Sequence, residues 1–269
     1  MTDHHGFLYE DATTDRRGFL SVVGAATALA LAGHMRVGEA AIAPRALNVV
    51  LVHGLYADGS SWAKVIGPLQ DAGLHVTSVQ NPLTTLAESV AATRRALAMQ
   101  QGPTVLAGHS WSGTIVSEVG DDPKVSALVY VAARAPDAGE DFPALARTFP
   151  AAPGSTGVVT TDGFAQLSEA AFLEDFANGV APATARVLYA AQASNVASLV
   201  SEKTSVAAWR TKPSWYAVSR QDRMINPDLQ RFLAKRMKAT TIEVDSGHLS
   251  LVSHSKEIAT LILAGAGQE

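Results

Sequence analysis

The chain contains no cysteine, which removes disulfide bridges, thiolate nucleophiles and thiolate metal sites together. That absence leaves the compartment open, because an exported protein can do without bridges. Charge is also scarce: 17% of residues are Asp, Glu, Lys or Arg, and the formal net charge is -4 at pH 7. Residues 1–40 carry more acid than base, so the remainder is close to neutral and offers no basic field to a nucleic acid. Eight histidines are present, yet no HExxH or tight His/Asp cluster supplies a metal site. Aromatics amount to only 6%. Hydrophobic residues, in contrast, make up 47% of the 269 positions, enough to bury a full core in one domain that carries an insertion.

Residues 1–43 read as a leader and residues 44–269 as the domain. Thr14-Asp15-Arg16-Arg17-Gly18-Phe19-Leu20 precedes an uncharged, alanine-rich run from Ser21 to Gly33, and small residues follow around Ala40 and Ala43. This order resembles a twin-arginine export signal, with cleavage expected after Ala40. The apolar run is too short and too weakly hydrophobic to span ~30 Å of hydrocarbon. The expectation is therefore an exported protein, periplasmic or secreted, that meets the twin-arginine machinery already folded.

From Leu47 onward the pattern alternates. Leu47–Val52 is a buried strand, Asp58 caps a helix to about Asp71 with Trp62 on its inner side, and His75–Val79 is the next strand. Thr85 and Glu88 form a capping box for a helix ended by Gly102-Pro103. Thr104–Ala107 and Val125–Val131 are further apolar strands. Strand, helix, strand, helix, strand predicts an α/β fold with a mostly parallel central sheet and helices on both faces. Between about 134 and 210 the β-branched clusters thin out and prolines multiply; we expect an inserted helical cap, with helices near Glu169–Phe176 and Pro182–Gln192. Its Phe142, Phe149, Phe164, Phe172, Phe176 and Trp209 either line an apolar pocket or glue the cap down. Strands at Trp215–Val218 and Thr240–Val244 follow, separated by a helix after Pro227, and a last helix opens at Ser253.

Gly108-His109-Ser110-Trp111-Ser112 joins the Thr104–Ala107 strand to a helix and matches G-x-S-x-G, with Ser in the last place. A serine at the tip of so tight a turn has its hydroxyl pushed clear of the sheet, and the positions two before and two after must be small. Ser110, Asp222 and His248 occur in that order, each just past the carboxyl end of a predicted strand, where ligands meet an open parallel sheet. A serine hydroxyl needs a base to become a nucleophile, and the imidazole needs a carboxylate to hold its tautomer. His248 and Asp222 suit those tasks, with Asp137 as the alternative acid. His53 reads as a packed loop residue, and the His109 side chain should point away from Ser110. The step His53-Gly54-Leu55 after the first strand places the Leu55 N–H as an oxyanion donor beside that of Trp111.

The span from Leu47 to the C-terminus resembles the α/β-hydrolase superfamily. HGLYADGSSW, GHSWSG, QDRMINPDLQ and SGHLSLVSH look like its small capped branch of plant methyl-ester esterases, hydroxynitrile lyases and bacterial pyrethroid-type esterases. The resemblance implies the α/β-hydrolase fold, a cofactor-free and metal-free reaction, Ser110 as nucleophile, Asp222 as acid, His248 as base, and Leu55 and Trp111 as oxyanion donors. The lyases carry Thr after the first-loop His and Lys after the catalytic His, where this chain has Gly54 and Leu249. Hydrolysis of small or medium carboxylic esters through an acyl-enzyme is the expected activity, with a small-molecule ester as the partner. A lyase using the same three groups, or a binding protein on the same scaffold, are the alternatives.

Overall fold

The computed structural model describes residues 45–268. The leader at 1–43, with its expected export signal, lies outside them.

In chain order the strands are β1 (Asn48–Val52), β2 (His75–Val79), β3 (Thr104–His109), β4 (Val125–Val131), β5 (Val158–Thr161), β6 (Phe164–Leu167), β7 (Asn195–Val196), β8 (Ser214–Ser219) and β9 (Thr240–Val244). The α-helices are α1 (Ala63–Asp71), α2 (Leu86–Ala98), α3 (Gly113–Val119), α4 (Phe142–Ala146), α5 (Glu169–Ala171), α6 (Pro182–Ala190), α7 (Pro227–Arg236), α8 (Ser250–Ser253) and α9 (Ser255–Gly265). Six strands form one parallel sheet in the order β2-β1-β3-β4-β8-β9.

The sequence of β1, NVVLV, and that of β3, TVLAGH, are buried along their whole length, as strands covered on both faces must be. The edge strands β2 and β9 expose part of each turn of the pleat and carry Thr, Ser and Glu. Strand order reverses at β1, so right-handed crossovers send α1 and α2 to opposite faces. Accordingly α1 packs with α8 and α9, and α2 packs with α3. Trp62 is fully buried, and the Thr85 side chain accepts the Glu88 N–H as the capping box requires. Among the described residues no helix is long and apolar enough to cross a membrane.

The closing helix differs from expectation. It is broken at His254, whose φ of -126° and ψ of 42° separate α8 from α9. The insertion differs more. It contains α4, α5 running into a π-helical turn at Phe172–Phe176, and α6, but also a three-stranded antiparallel sheet β5-β6-β7. Val158-Val159-Thr160-Thr161 is an exposed β-branched strand. Asp162 and Gly163 turn it into β6 with φ values of 50° and 82°, the positive pair that a two-residue hairpin matching strand twist demands. The cap is thus mixed and not purely helical.

Candidate active site

At the end of β3 the chain turns at Ser110 with φ of 59°, a left-handed backbone that a side-chain-bearing residue adopts only under constraint. The constraint is visible. A Cβ on Gly108 would lie 2.6 Å from Val116 Cγ2 and 3.0 Å from Ser112 Oγ, so the strand and helix could not close on a larger residue. The Ser112 hydroxyl, buried in the corner, donates to the carbonyls of Val52 at 2.7 Å and His109 at 2.8 Å. Across the sheet the Arg134 N–H donates to the Ser110 carbonyl at 2.9 Å.

Ser110 Oγ lies 2.8 Å from His248 Nε2, and His248 Nδ1 lies 2.7 Å from Asp222 Oδ2. Asp222 sits after β8 and His248 after β9, so the carboxyl edge of the sheet brings all three together. The Asp222 carboxylate also accepts the N–H groups of Met224 at 2.7 Å and Ile225 at 3.0 Å through Oδ1, and Gln230 Nε2 at 2.7 Å through Oδ2. Gln230, from α7, is itself fully occupied: its Oε1 accepts the Ser219 N–H at 3.0 Å. Asp137 is elsewhere, paired with Arg210 on the surface, and this pairing, with the nearby Arg236, holds its carboxyl below the usual range. The alternative acid is therefore engaged away from His248.

The other two histidines near the site behave as packing residues. His53 Nε2 accepts the Asn81 N–H at 2.9 Å, which leaves Nδ1–H to donate to the Gly54 carbonyl at 2.9 Å. That bond grips the peptide whose N–H belongs to Leu55. The Leu55 N–H itself donates to no group among the described residues, and Leu55 and Trp111 line the same cavity as Ser110 and His248. Trp111 is the second residue of a one-turn 3-10 helix (Ser110–Ser112), where an N–H has no intrahelical acceptor. His109 donates from Nε2 to the His248 carbonyl at 3.0 Å, turned away from the Ser110 hydroxyl. Burial pushes the pKa of both histidines down, that of His109 well below the ordinary value, with the His248 charge adding to its shift.

The insertion roofs this edge. Its aromatics divide between the two expected roles. Phe142 and Phe176 line a cavity of about 310 Å³ above Ser110, and Phe149 lines an adjoining one. Phe172 is buried against Phe176 with ring centres 4.8 Å apart, and the Trp209 indole donates to the Pro136 carbonyl at 2.8 Å. Phe164 is 48% exposed. The Phe176 ring stands 5.2 Å from that of His248. Asn178 reaches both loops below it, donating to the Gln221 carbonyl at 2.9 Å and accepting the His248 N–H at 3.4 Å. Gly247 is required there, since a Cβ would lie 2.0 Å from Asn178 Oδ1. Gln230, Asn178 and the peptide grip by His53 were not anticipated from the sequence. Among the described residues no group of acidic, His or Cys side chains is arranged to hold a metal ion.

A doubly wound parallel sheet with a serine at the β3 turn and an acid and a histidine at later strand ends defines a class, and the comparisons place the chain in it. The alpha/beta hydrolase family model matches residues 49–261, and the chain belongs to that family. Among solved structures it is similar to a pyrethroid hydrolase from Sphingobium faniae JZ-2, at 16% identity and a TM-score of 0.68 over 82% of this chain and 98% of that one. It is similar to polyneuridine aldehyde esterase, at 17% identity and a TM-score of 0.70 over 82% and 99%. It also resembles an extracellular alpha/beta-hydrolase from a Paenibacillus species that shares structural and functional homology with tobacco salicylic acid binding protein 2, at 19% identity and a TM-score of 0.67 over 81% and 98%. No curated protein matches the chain by sequence.

Proposed function

We propose that the protein is a serine hydrolase that cleaves small or medium carboxylic esters through an acyl-enzyme. The observation that carries this is the continuous hydrogen-bonded line from Ser110 Oγ through His248 to Asp222, at 2.8 and 2.7 Å. His248 Nε2 takes the Ser110 proton as Oγ attacks the ester carbonyl, and Asp222 holds the tautomer and stabilises the imidazolium. The carbonyl oxygen becomes an anion that the Leu55 and Trp111 N–H groups receive. His248 then returns the proton to the departing alcohol. Water attacks the acyl-enzyme by the same route in reverse, freeing the acid and Ser110.

Gly54 favours this reading over the lyase. A Cβ there would stand 2.7 Å from Ser110 Cβ, so the threonine that the lyases carry has no room beside this serine. Leu249, where the lyases have lysine, is 1% exposed and packs in the core. The esterases among the similar folds, and the chemistry named in the family, agree with hydrolysis.

The decisive measurement is turnover of a p-nitrophenyl ester chain-length series beside the Ser110→Ala variant, with fluorophosphonate labelling of both. We expect the wild type to turn over and label. The variant should lose on the order of 10⁴-fold or more and not label. An unlabelled, inactive wild type would favour a binding protein, and cyanide release from a mandelonitrile would favour the lyase. We further propose export through the Arg16-Arg17 leader. Replacing both arginines by lysine should leave the protein in the cytoplasmic fraction; unchanged fractionation removes this reading.

A further inference from the structure

Two cavities meet above Ser110. The one of about 310 Å³ holds Ser110 and His248, and the other, of about 410 Å³, extends to the exposed Arg147 and to Asn226. Arg134 lines both, and neither has an aspartate or glutamate in its lining. The side chain is partly buried, and its environment differs from that of Arg210, Arg223 and Arg236. Arg210, Arg223 and Arg236 each pair with a carboxylate, the last with Glu140 at 2.7 Å. Arg134 has no carboxylate partner among the described residues. Its Nη1 donates to the Val200 carbonyl at 2.9 Å, and its guanidinium lies 4.9 Å from the Phe142 ring centre. A carbonyl and an aromatic face engage one edge and one side of a planar group with five N–H donors and leave its charge unneutralised. Burial brings its pKa down to about 10, so it remains a cation at neutral pH.

A cation fixed in an apolar cavity beside a nucleophile, with no counter-ion from the chain, is an unfinished ion pair. We propose that Arg134 binds a carboxylate of the substrate, so that the preferred substrates are esters bearing a free carboxylate within reach of the scissile bond. This rests on the hydrolase reading of Ser110 and specifies its substrate class. The planar fork accepts a carboxylate through two parallel hydrogen bonds. Phe142, Met224 and Ile225, shared by both cavities, take the hydrocarbon between the carboxylate and the ester. Arg147 at the outer end adds charge of the same sign, which draws anions toward the mouth.

Arg134 also fastens the insertion to the sheet through Val200 and Phe142, and a purely structural role would lower the turnover of all esters alike. The test therefore compares pairs of the same skeleton that differ by one carboxylate. Mono-4-nitrophenyl glutarate is set against 4-nitrophenyl pentanoate, and 4-acetoxybenzoate against phenyl acetate, so that the charge sits on the acyl side in one pair and on the alcohol side in the other. In at least one pair the wild type should favour the anion, and Arg134→Gln should lower kcat/KM for that anion by on the order of 10- to 100-fold while leaving the neutral partner within about threefold. No preference in either pair, or equal loss for both members of a pair, overturns the proposal. If Arg134→Gln does not fold, Arg134→Lys replaces it, with about a tenfold loss confined to the anion. Calorimetric titration with the 4-nitroanilide of glutaric acid separates this idea from the hydrolase reading. Binding that is lost in Arg134→Gln supports carboxylate recognition even when no ester is turned over, and binding unaffected by the substitution rejects it.

Discussion

The floor of the site and its roof are built on opposite principles. The floor is the carboxyl edge of a parallel sheet whose central strands β1 and β3 are buried from end to end, so Ser110 projects from an element that cannot shift without disturbing the core, with Asp222 and His248 on the loops after β8 and the edge strand β9. The roof is assembled from short pieces, a one-turn helix, an exposed hairpin, a π turn, joined to the floor by individual contacts such as Arg223 to Asp175 at 2.6 Å and Glu202 to the Leu86 N–H at 2.8 Å. The floor carries hydroxyl, imidazole and carboxylate in line at 2.8 and 2.7 Å, while a roof of small parts can change shape residue by residue. In the proposed reaction, chemistry belongs to the first and choice of substrate to the second.

The contrast is broken most severely at Gly54. In Gly54→Thr the new Cβ meets His109 O and Ser110 Cβ, both at 2.7 Å, and displaces the peptide that bears the Leu55 N–H. We expect kcat to fall roughly 10² to 10³-fold, the cost of losing one oxyanion donor, measured alongside a thermal melt that shows the protein folded. Gln230→Ala comes next. It strips one hydrogen bond from Asp222 and leaves the Ser219 N–H and the Ile225 carbonyl unpaired, so we expect about 2–4 kcal/mol of lost stability and roughly a tenfold fall in kcat in denaturant and kinetic assays.

Acid acts on the floor through His53 and His109. Both are buried and held below the ordinary histidine pKa. The unfolded chain takes up these protons near pH ~6.5, and the folded chain refuses them until a lower pH. Their contribution to stability is complete above ~6.5 and declines as the pH falls toward the folded values. The melting temperature should therefore drop between pH 7 and pH 5, and a flat profile would contradict the burial of two neutral imidazoles. At the far end of the scale, Val159→Thr on the exposed hairpin, 53% accessible, should change stability by no more than about 0.5 kcal/mol in a chemical melt.

The same division explains what could be read from the chain. The turn at Ser110 is a local pattern whose small residues are dictated by sterics, and the strand ends that carry Asp222 and His248 follow apolar runs, so the order and place of the three groups were legible. The sheet was legible for the same reason. The hairpin in the insertion was not anticipated, although Asp162-Gly163 between two β-capable runs is a hairpin signal; four residues at Val158–Thr161 are a short run in a stretch otherwise thin in β-branched clusters and interrupted by prolines. Gln230 could not be found from sequence because a glutamine on an amphipathic helix has no pattern that says it faces a carboxylate. Arg134 was unreadable for a related reason. Its significance is the absence of a partner, and only the packed chain shows which carboxylates are too far away or already taken.

Phe176 and Asn178 set a boundary on engineering. Both belong to the insertion, yet one ring packs at a tilt against His248 and one amide ties the His248 backbone to that of Gln221. The roof cannot be treated as an interchangeable cassette: a segment grafted from a relative to redirect selectivity must bring an aromatic and an amide to these two places, or the graft arrives with a loosened His248. A chimera library should hold positions 176, 178 and 247 constant and spend its diversity on the residues facing Arg134.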